Sequence, residues 1–346
     1  MKRWRIDNYR DFFNKILKVE EDELIALLEN KNNVYSSYKI KKKKGHRTIY
    51  YLKDNLDLAK IQGNLIKNFL SNIMLSESCY GFRCNLNYID FLERHTTLSN
   101  DRYFLRLDIS NFFESISMEL LIDVLSYYIE DSEYVTSDES NKIVYYIKEI
   151  VTFDDKLVQG IATSPIISNI VFRQLDIRIE KYCRKLGVEY SRYADDLLFS
   201  SEIKSKIHGD FFIGKIAKIL SSKSFNLNHK KTIKADKELC INGYVVGKNI
   251  RISRKKMQTI SRVLFFLNSV NIKKNLNFLD ELNHKLKNEM KDNRIYFLNK
   301  IQLINYLSGN RAYLISILRY SDEYFGKRII KKHPIRVPLA PYLAVE

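Results

Sequence analysis

The sequence predicts an α+β protein in which an antiparallel sheet is followed by a helical C-terminal segment. Residues 102–109 (RYFLRLDI) alternate between an apolar face and a second face that carries Asp108, which is typical of a strand. Residues 189–200 (EYSRYADDLLFS) have the pattern of two short strands around a turn. Residues 257–330 have a helical pattern and are rich in Leu, Ile, Tyr and Asn.

Local patterns predict the remaining elements. Residues 54–74 carry apolar side chains at helical spacing, and the acidic, Ser-rich residues 130–140 predict a solvated loop. Residues 166–186 predict a long helix that ends at Gly187 and follows Ser164 as its cap. Pro165 fits the first turn of that helix, where a missing N–H group costs nothing. The other three prolines lie in the last thirteen residues, which predicts an extended tail.

The chain is strongly basic, with 58 Lys and Arg residues against 41 Asp and Glu residues and a formal net charge of +17. An AT-biased coding sequence also enriches Lys, Asn and Ile, so composition alone leaves a trivial explanation open. The charge is nevertheless clustered in residues 39–47, 248–256 and 327–336. Separated basic clusters are typical of a surface that follows a phosphate backbone, and they predict a nucleic-acid partner.

The composition also argues against several classes of protein. No stretch of eighteen apolar residues occurs, so we expect neither a transmembrane helix nor a membrane partner. The first residues, MKRWR, lead directly into polar sequence, which argues against a signal peptide. The four cysteines are scattered, and no Cys/His cluster completes a zinc site. We therefore expect a reduced, cytoplasmic protein.

Adjacent acids at the tip of an apolar hairpin are the sharpest local signal. Asp195 and Asp196 repel each other, and Asp is a poor strand residue, so a plain solvent-exposed turn and a cation site both remain open for this pair alone. Asp108 adds a third acid at the end of its own apolar-backed strand. Three acids on adjacent strand ends can hold two divalent cations roughly 3.5–4 Å apart, as in-line phosphoryl transfer requires.

Three motifs in order give these acids a family context. Residues 107–113 (LDISNFF), 159–169 (QGIATSPIISN) and 193–196 (YADD) resemble the ordered motifs of reverse transcriptases, most closely the bacterial group that includes retron and group II intron enzymes. The resemblance spans residues 40–260 and implies a right-hand polymerase. Its parts would be fingers at 1–100, a palm at 101–250 with fingers segments interleaved near 130–165, a helical thumb at 251–330 and a tail at 331–346.

The resemblance also implies an activity, a cofactor and partners. It implies RNA-directed DNA synthesis from dNTPs with two Mg²⁺ ions, for which Mn²⁺ is a possible substitute. The template and primer would belong to a structured non-coding RNA, the product would be RNA-linked single-stranded DNA, and the biological role would be anti-phage defence. An effector protein is a further candidate partner. The sequence does not indicate which residues would form an oligomer interface.

The resemblance extends to residues 45–50 (GHRTIY), 80–83 (YGFR), 227–232 (LNHKKT) and 240–246 (CINGYVV). Position within these segments and the three motifs implies roles for individual residues. The resemblance assigns catalysis and metal binding to Asp108, Ile109 (through its carbonyl), Asp195 and Asp196. It assigns nucleotide binding to Arg47, Asn111, Phe112, Phe113, Gln159, Gly160 and Lys231. It assigns template and primer binding to Lys44, Arg83, Asn242, Gly243, Arg254 and Lys255. Phe113 would act as an aromatic gate that excludes nucleotides with a 2′-hydroxyl. Two other interpretations remain open: Phe113 packs in the core, or Phe112 is the gate instead. Gly160 would let the backbone approach the nucleotide, and Lys231 would protonate pyrophosphate.

Several alternatives remain open at this stage. Retron enzymes usually carry an Asn-Ala-x-x-His element where residues 91–95 read FLERH, and Val-Thr-Gly where residues 241–243 read ING. A stand-alone defence-associated reverse transcriptase that makes unbranched or repetitive DNA is therefore the second candidate. An RNA-dependent RNA polymerase usually has a polar residue at the gate, so Phe113 argues against it. The intact acids argue against an inactive RNA-binding scaffold.

Overall fold

The structure is a computed structural model, and it describes residues 6, 8–41, 45–53, 56–96, 102–129, 135–270, 277–289 and 295–325. The chain divides into two compact units, Met1–Arg94 with Asp101–Lys237, and His95–Asn100 with Glu238–Glu346. Lys44 and the tail at 331–346 lie outside the described residues. The unit boundary falls inside the segment predicted to be the palm, and the limits of fingers, palm and thumb stay a prediction.

The first unit contains a two-stranded hairpin and a four-stranded antiparallel sheet. The hairpin consists of β1 (Tyr35–Lys41) and β2 (His46–Leu52). The larger sheet has the strand order β4-β5-β3-β6 and consists of β3 (Tyr103–Asp108), β4 (Glu189–Tyr193), β5 (Asp196–Ser201) and β6 (Ile233–Asp236). The strands predicted at 102–109 and 189–200 are thus confirmed, and β3 lies at the centre because it pairs with both β5 and β6.

Helices surround these strands. They are α1 (Tyr9–Asp11), α2 (Glu21–Glu29), α3 (Lys31–Val34), α4 (Leu56–Asn68), α5 (Tyr88–Glu93), α6 (Met118–Ile129), α7 (Ser137–Val151), α8 (Ser164–Leu186), α9 (Lys204–His208) and α10 (Asp210–Ser221). A π-helical segment covers Phe12–Leu17, and 3-10 turns cover Leu70–Asn72 and His229–Lys231. The core contains Leu105 and Leu107 of β3, Phe199 of β5 and Phe172 of α8, all fully buried. Burial of each such side chain contributes about 1.5–3 kcal/mol.

The helix predicted at 166–186 is confirmed as α8, with Pro165 in its first turn. Gly187 ends it in a left-handed conformation with φ 63°, as a C-terminal glycine commonly does. The expectation that Ser164 caps this helix is wrong. Thr163 occupies the cap position, and the Ser164 hydroxyl donates instead to the Val158 carbonyl at 2.7 Å.

Two other expectations change at their ends. The helix predicted at 54–74 is α4, which stops at Asn68 and is followed by the 3-10 turn. The loop predicted at 130–140 is wrong at its C-terminal end, because α7 already begins at Ser137. Thr136 and Glu139 form a capping box there: the Thr136 side chain accepts from the Glu139 N–H, and the Glu139 carboxylate accepts from the Thr136 N–H.

The second unit combines a small sheet with long helices. Its antiparallel strands are β7 (Leu239–Ile241), β8 (Tyr244–Val246) and β9 (Ile250–Ile252), in that order. Its helices are α11 (Arg254–Ser269), α12 (Phe278–Glu289) and α13 (Lys300–Phe325), so the helical prediction for this segment is confirmed where the structure describes it. In the described part of the chain, no helix is both long enough and apolar enough to cross a membrane.

Candidate active site

The three predicted acids meet at one end of the four-stranded sheet. The antiparallel pairing of β3 with β5 places Asp108 opposite Asp196. Asp195 lies in the two-residue turn between β4 and β5, and its carbonyl accepts a hydrogen bond from the Ile109 N–H at 3.0 Å. The structure therefore brings Asp108 and Asp195 together although they are 87 positions apart in the sequence. The chemical roles of the three acids stay predictions.

The turn that carries Asp195 has an unusual backbone. Ala194 has φ 55°, a region that residues with a side chain rarely adopt, and it is the first central residue of the turn. A positive φ at that position alone is the pattern of a type II′ hairpin turn. The Arg192 Nη1 donates to the Ala194 carbonyl at 3.0 Å. The strained turn is thus held by a side chain from its own strand.

Arg192 is fully buried and joins three parts of the first unit. Its guanidinium binds the Asp176 carboxylate of α8 at 2.8–3.1 Å, and both side chains are inaccessible to solvent. Its Nη2 also lies 3.1 Å from the Cys79 Sγ, and its guanidinium carbon lies 4.5 Å from the Phe172 ring centroid. Tyr190 completes the network by donating to Asp176 at 2.7 Å. Sequence reasoning missed this network, because it named neither Arg192 nor Asp176 as a site residue.

Asp196 is paired with a cation that sequence reasoning also missed. Arg106 donates to the Asp196 Oδ1 from Nε at 2.8 Å and from Nη2 at 2.5 Å. Burial raises the pKa of Asp196 to about 6, and Arg106 opposes that rise. The available signal was the strand alternation, which places Arg106 on the same face of β3 as Asp108.

Burial also raises the pKa of Asp195, and the negative charge of Asp108 raises it further. Asp108 itself is 2% exposed and is paired with Lys231, whose Nζ lies 2.9 Å from Oδ1 and 3.0 Å from Oδ2. The 3-10 turn that carries Lys231 is anchored by the Asn228 N–H, which donates to the Asp108 carbonyl at 2.8 Å. Positive charge near Asp195 and Asp196 therefore favours their ionised forms.

The donor set fits a divalent cation in part. Among the described residues, no three His, Cys, Asp or Glu side chains are grouped closely enough to hold a metal ion by themselves. Arg106 pairs with Asp196, and Lys231, whose side chain is 56% exposed, pairs with Asp108. Mg²⁺ is bound by few protein carboxylates and takes its other ligands from water, carbonyls or phosphate. The carboxylates of Asp108 and Asp195 fit that preference.

The two adjacent phenylalanines after Asp108 have different environments. Phe112 is 4% exposed and packs against Phe172 and Phe225, with ring centroids 5.7 and 5.8 Å away. Phe113 is half-buried and lies 5.5 Å from the Phe112 ring. Phe113 is therefore the one of the pair that can reach a ligand, while Phe112 belongs to the core.

The loop at Gln159 and Gly160 is attached to the β1–β2 hairpin. The Tyr50 N–H donates to the Gln159 carbonyl at 2.8 Å. Gly160 has φ 107°, and a Cβ there would lie 2.1 Å from the Tyr50 carbonyl oxygen. The close approach of β2 is by itself a reason for glycine at this position, and the expectation that Gly160 lets the backbone approach a nucleotide stays a prediction.

The remaining predicted residues of the first unit lie in varied settings. Arg47 is exposed on β2, opposite Ile40 of β1. Asn111 is exposed and has φ 46°, which orients the backbone directly after β3. The Arg83 Nη1 donates to the carbonyls of Ser76 and Cys79 at 3.3 and 3.0 Å, so part of this guanidinium holds its own loop.

The predicted template and primer residues of the second unit lie in that unit's sheet and first helix. Asn242 and Gly243 form the turn between β7 and β8, with φ 48° and 89°, and the Tyr313 hydroxyl donates to the Gly243 carbonyl at 2.8 Å. Two positive φ values are typical of a type I′ turn. Arg254 and Lys255 are exposed in the first turn of α11.

Comparison with known proteins identifies relatives of this chain. A model of the family "Reverse transcriptase (RNA-dependent DNA polymerase)" matches residues 40–279. Among curated proteins from Escherichia coli, Retron Ec73 reverse transcriptase is 31% identical over 197 residues, 55% of this chain and 60% of that protein. Retron Ec86 reverse transcriptase is 26% identical over 69% of this chain and 68% of that protein. Retron Ec83 reverse transcriptase is 28% identical over 55% of this chain and 60% of that protein. These matches confirm the predicted resemblance to the retron group.

Proposed function

Because this chain belongs to the reverse transcriptase (RNA-dependent DNA polymerase) family, we propose that it copies RNA into DNA by adding dNTPs to a primer hydroxyl. The observation that carries the proposal is the register of β3 and β5, which places Asp108 opposite Asp196 and beside the turn that carries Asp195. All three acids lie within the matched region. The match covers 60% of the length of two of the three retron relatives, so the activity of the whole protein is part of this proposal.

Reverse transcriptases use divalent metal ions, and we propose that Asp108, Asp195 and the Ile109 carbonyl hold two Mg²⁺ ions, for which Mn²⁺ can substitute. Bound metal lowers the pKa of the attacking hydroxyl and stabilises the negative charge of the leaving pyrophosphate. Asp196 supports the site from its pair with Arg106, which fixes its orientation. The Arg192 network holds the turn in the conformation that presents Asp195.

The incoming nucleotide lies, in this proposal, between the hairpin of the first unit and the acids. Exposed Arg47 binds its triphosphate, the N–H groups of Asn111 and Phe112 bind phosphate oxygens, and Gln159 with Gly160 adjoins the new base pair. Phe113 excludes the 2′-hydroxyl of a ribonucleotide. Lys231 has an ammonium group next to Asp108, from which it donates a proton to pyrophosphate.

Template and primer are held chiefly through their phosphates. Arg83, Asn242, Gly243, Arg254 and Lys255 are the proposed contacts, together with Lys44. Such contacts position a duplex without reading its sequence, so selection of the template depends on base pairing and on RNA structure.

We further propose that the enzyme is of the retron type and acts in the cytoplasm. Its curated relatives are named retron reverse transcriptases, which supports a structured non-coding RNA as template and primer and RNA-linked single-stranded DNA as product. An effector protein as partner and a role in anti-phage defence extend the same proposal. A stand-alone defence enzyme that makes unbranched DNA is the alternative outcome of the test.

Two assays test this proposal. Purified protein should extend a primer on an RNA template with dNTPs, and Asp195→Asn should abolish extension because one metal-binding carboxylate is lost. Asp236→Asn is the matched control, since this exposed acid lies on β6 of the same sheet and should leave extension unchanged. Equal extension by wild type and Asp195→Asn would refute the proposed chemistry.

Sequencing of the nucleic acid that copurifies from the host decides the type of enzyme. DNA joined to one RNA through a 2′–5′ branch, in wild type but not in Asp195→Asn, would establish the retron type. Unbranched or repetitive DNA with the same dependence on Asp195 would establish the stand-alone type. RNA without DNA in the wild-type and Asp195→Asn samples would contradict both the retron type and the stand-alone type.

A further inference from the structure

Phe82 combines two properties that core packing does not explain. Its side chain is 44% exposed although it is aromatic. Its backbone has φ 59°, in the left-handed region that a bulky residue adopts only under constraint. Such an outlier persists only where the surrounding structure enforces it, and outliers of this kind concentrate at functional sites. The position of Phe82 in the fold indicates what that function is.

The backbone around Phe82 is fixed against the turn that carries Asp195. Gly81 fits so closely that a Cβ there would lie 2.6 Å from the Ala194 nitrogen. The buried Asn169 Nδ2 donates to the Gly81 carbonyl at 2.7 Å, and the Tyr80 N–H donates to the Arg192 carbonyl at 2.8 Å. These contacts fix the position of the backbone from which the Phe82 ring projects.

The Phe82 ring lies between two aromatic side chains of the site. Its centroid is 6.4 Å from that of Phe113 and 6.3 Å from that of Tyr193, with interplanar angles of 48° and 45°. Both distances are within the range in which aromatic rings attract each other. The Phe113 ring therefore has two aromatic neighbours, Phe112 and Phe82.

We propose that Phe82 is a positioning residue for sugar selection, which holds the Phe113 ring in place against the incoming nucleotide. This inference rests on the proposed function. A half-buried gate excludes a 2′-hydroxyl only if its ring cannot turn aside when the larger sugar enters. Phe112 supports the core side of that ring, and Phe82 supports it from the segment packed on the Ala194 turn. The strained backbone at Phe82 brings its ring into this position.

The test measures discrimination, given as kcat/KM for a dNTP divided by kcat/KM for the matching rNTP, on an RNA template. Phe82→Gly and Phe82→Ala should each lower this ratio by about twofold to tenfold, the effect that one aromatic contact can supply. Phe113→Ala should lower it further, because it removes the gate itself. Phe82→Gly should melt at a higher temperature than Phe82→Ala, since both variants lose the ring and only glycine adopts the positive φ without strain.

A matched control is Phe211→Ala, an aromatic residue on α10 that is 83% exposed. It should leave the discrimination ratio unchanged. Normal DNA synthesis with an unchanged ratio in both Phe82 variants would overturn the inference and leave the proposed function intact. Absence of DNA synthesis by the wild-type protein would instead overturn the proposed function.

Discussion

The buried pair of Arg192 and Asp176 gives the sharpest prediction about stability. Asp176→Asn keeps the size of the side chain and removes its charge. It leaves a guanidinium with no counter-charge in a place that solvent does not reach, since both side chains are 0% exposed. The variant protein should fold less stably and lose rigidity in the turn that Arg192 holds.

The magnitude follows from the contacts that are lost. Asp176 accepts bonds from Tyr190 at 2.7 Å and from two nitrogens of Arg192 at 2.8–3.1 Å. Removal of one partner from such a buried pair costs about 3–5 kcal/mol, because the remaining charge stays desolvated. This is a large part of the roughly 5–15 kcal/mol that stabilises an ordinary domain.

Urea denaturation followed by circular dichroism measures this cost. The double variant Asp176→Asn/Arg192→Met should lose less than the two single variants together, because it leaves no buried charge. Lys60→Gln is the control, since it removes an ion pair whose side chains are 70% and 60% exposed and should cost under about 1 kcal/mol. A cost under about 1 kcal/mol for Asp176→Asn would refute the argument that the pair is desolvated.

Three further predictions concern the site and the duplex. Arg106→Gln should raise the pKa of Asp196 above about 6, because Arg106 no longer opposes the effect of burial. In a Mg²⁺ titration of primer extension, this variant should need more metal for half-maximal rate. An unchanged titration would show that Asp196 does not contribute to metal binding. Ala194→Gly should stabilise the first unit by about 1 kcal/mol in urea denaturation, since φ 55° is unstrained in glycine; a loss of stability would contradict the turn geometry. Arg254→Gln/Lys255→Gln should lower the salt dependence of duplex binding in fluorescence anisotropy by about 0.7–0.9 in log–log slope per lost phosphate contact; an equal slope would remove both residues from the interface.

Local signals were enough to predict much of the fold. Short segments of sequence carry three of these signals. They are the alternation in β3, the start and end of α8 at Pro165 and Gly187, and the apolar strands around Asp195. They could be predicted because the residues that signal them lie close together in the sequence. The register of β3 with β5 follows once both strands are placed with their acids at the same end of the sheet.

The interactions missed by sequence reasoning depend on partners that are distant in the chain. Arg106 meets Asp196 only through the pairing of two strands, and Arg192 meets Asp176 only when α8 packs on the sheet. The close approach of the Tyr50 backbone leaves no room for a Cβ at Gly160, and the residues next to Gly160 in the sequence do not indicate that contact. Ser164 resembles a cap from the sequence, but the Val158 carbonyl competes for its hydroxyl.

The central position of β3 has a consequence for synthesis of the chain on the ribosome. β3 leaves the ribosome before both of its partners, and β6, which ends at Asp236, comes last. Both edges of a strand containing Phe104, Leu105 and Leu107 lack partners until β5 emerges, and one edge still lacks its partner until β6 emerges. Exposed strand edges of this kind invite aggregation. Chains terminated before β6 should therefore depend on chaperones, and the acids should not assemble until β5 has paired with β3.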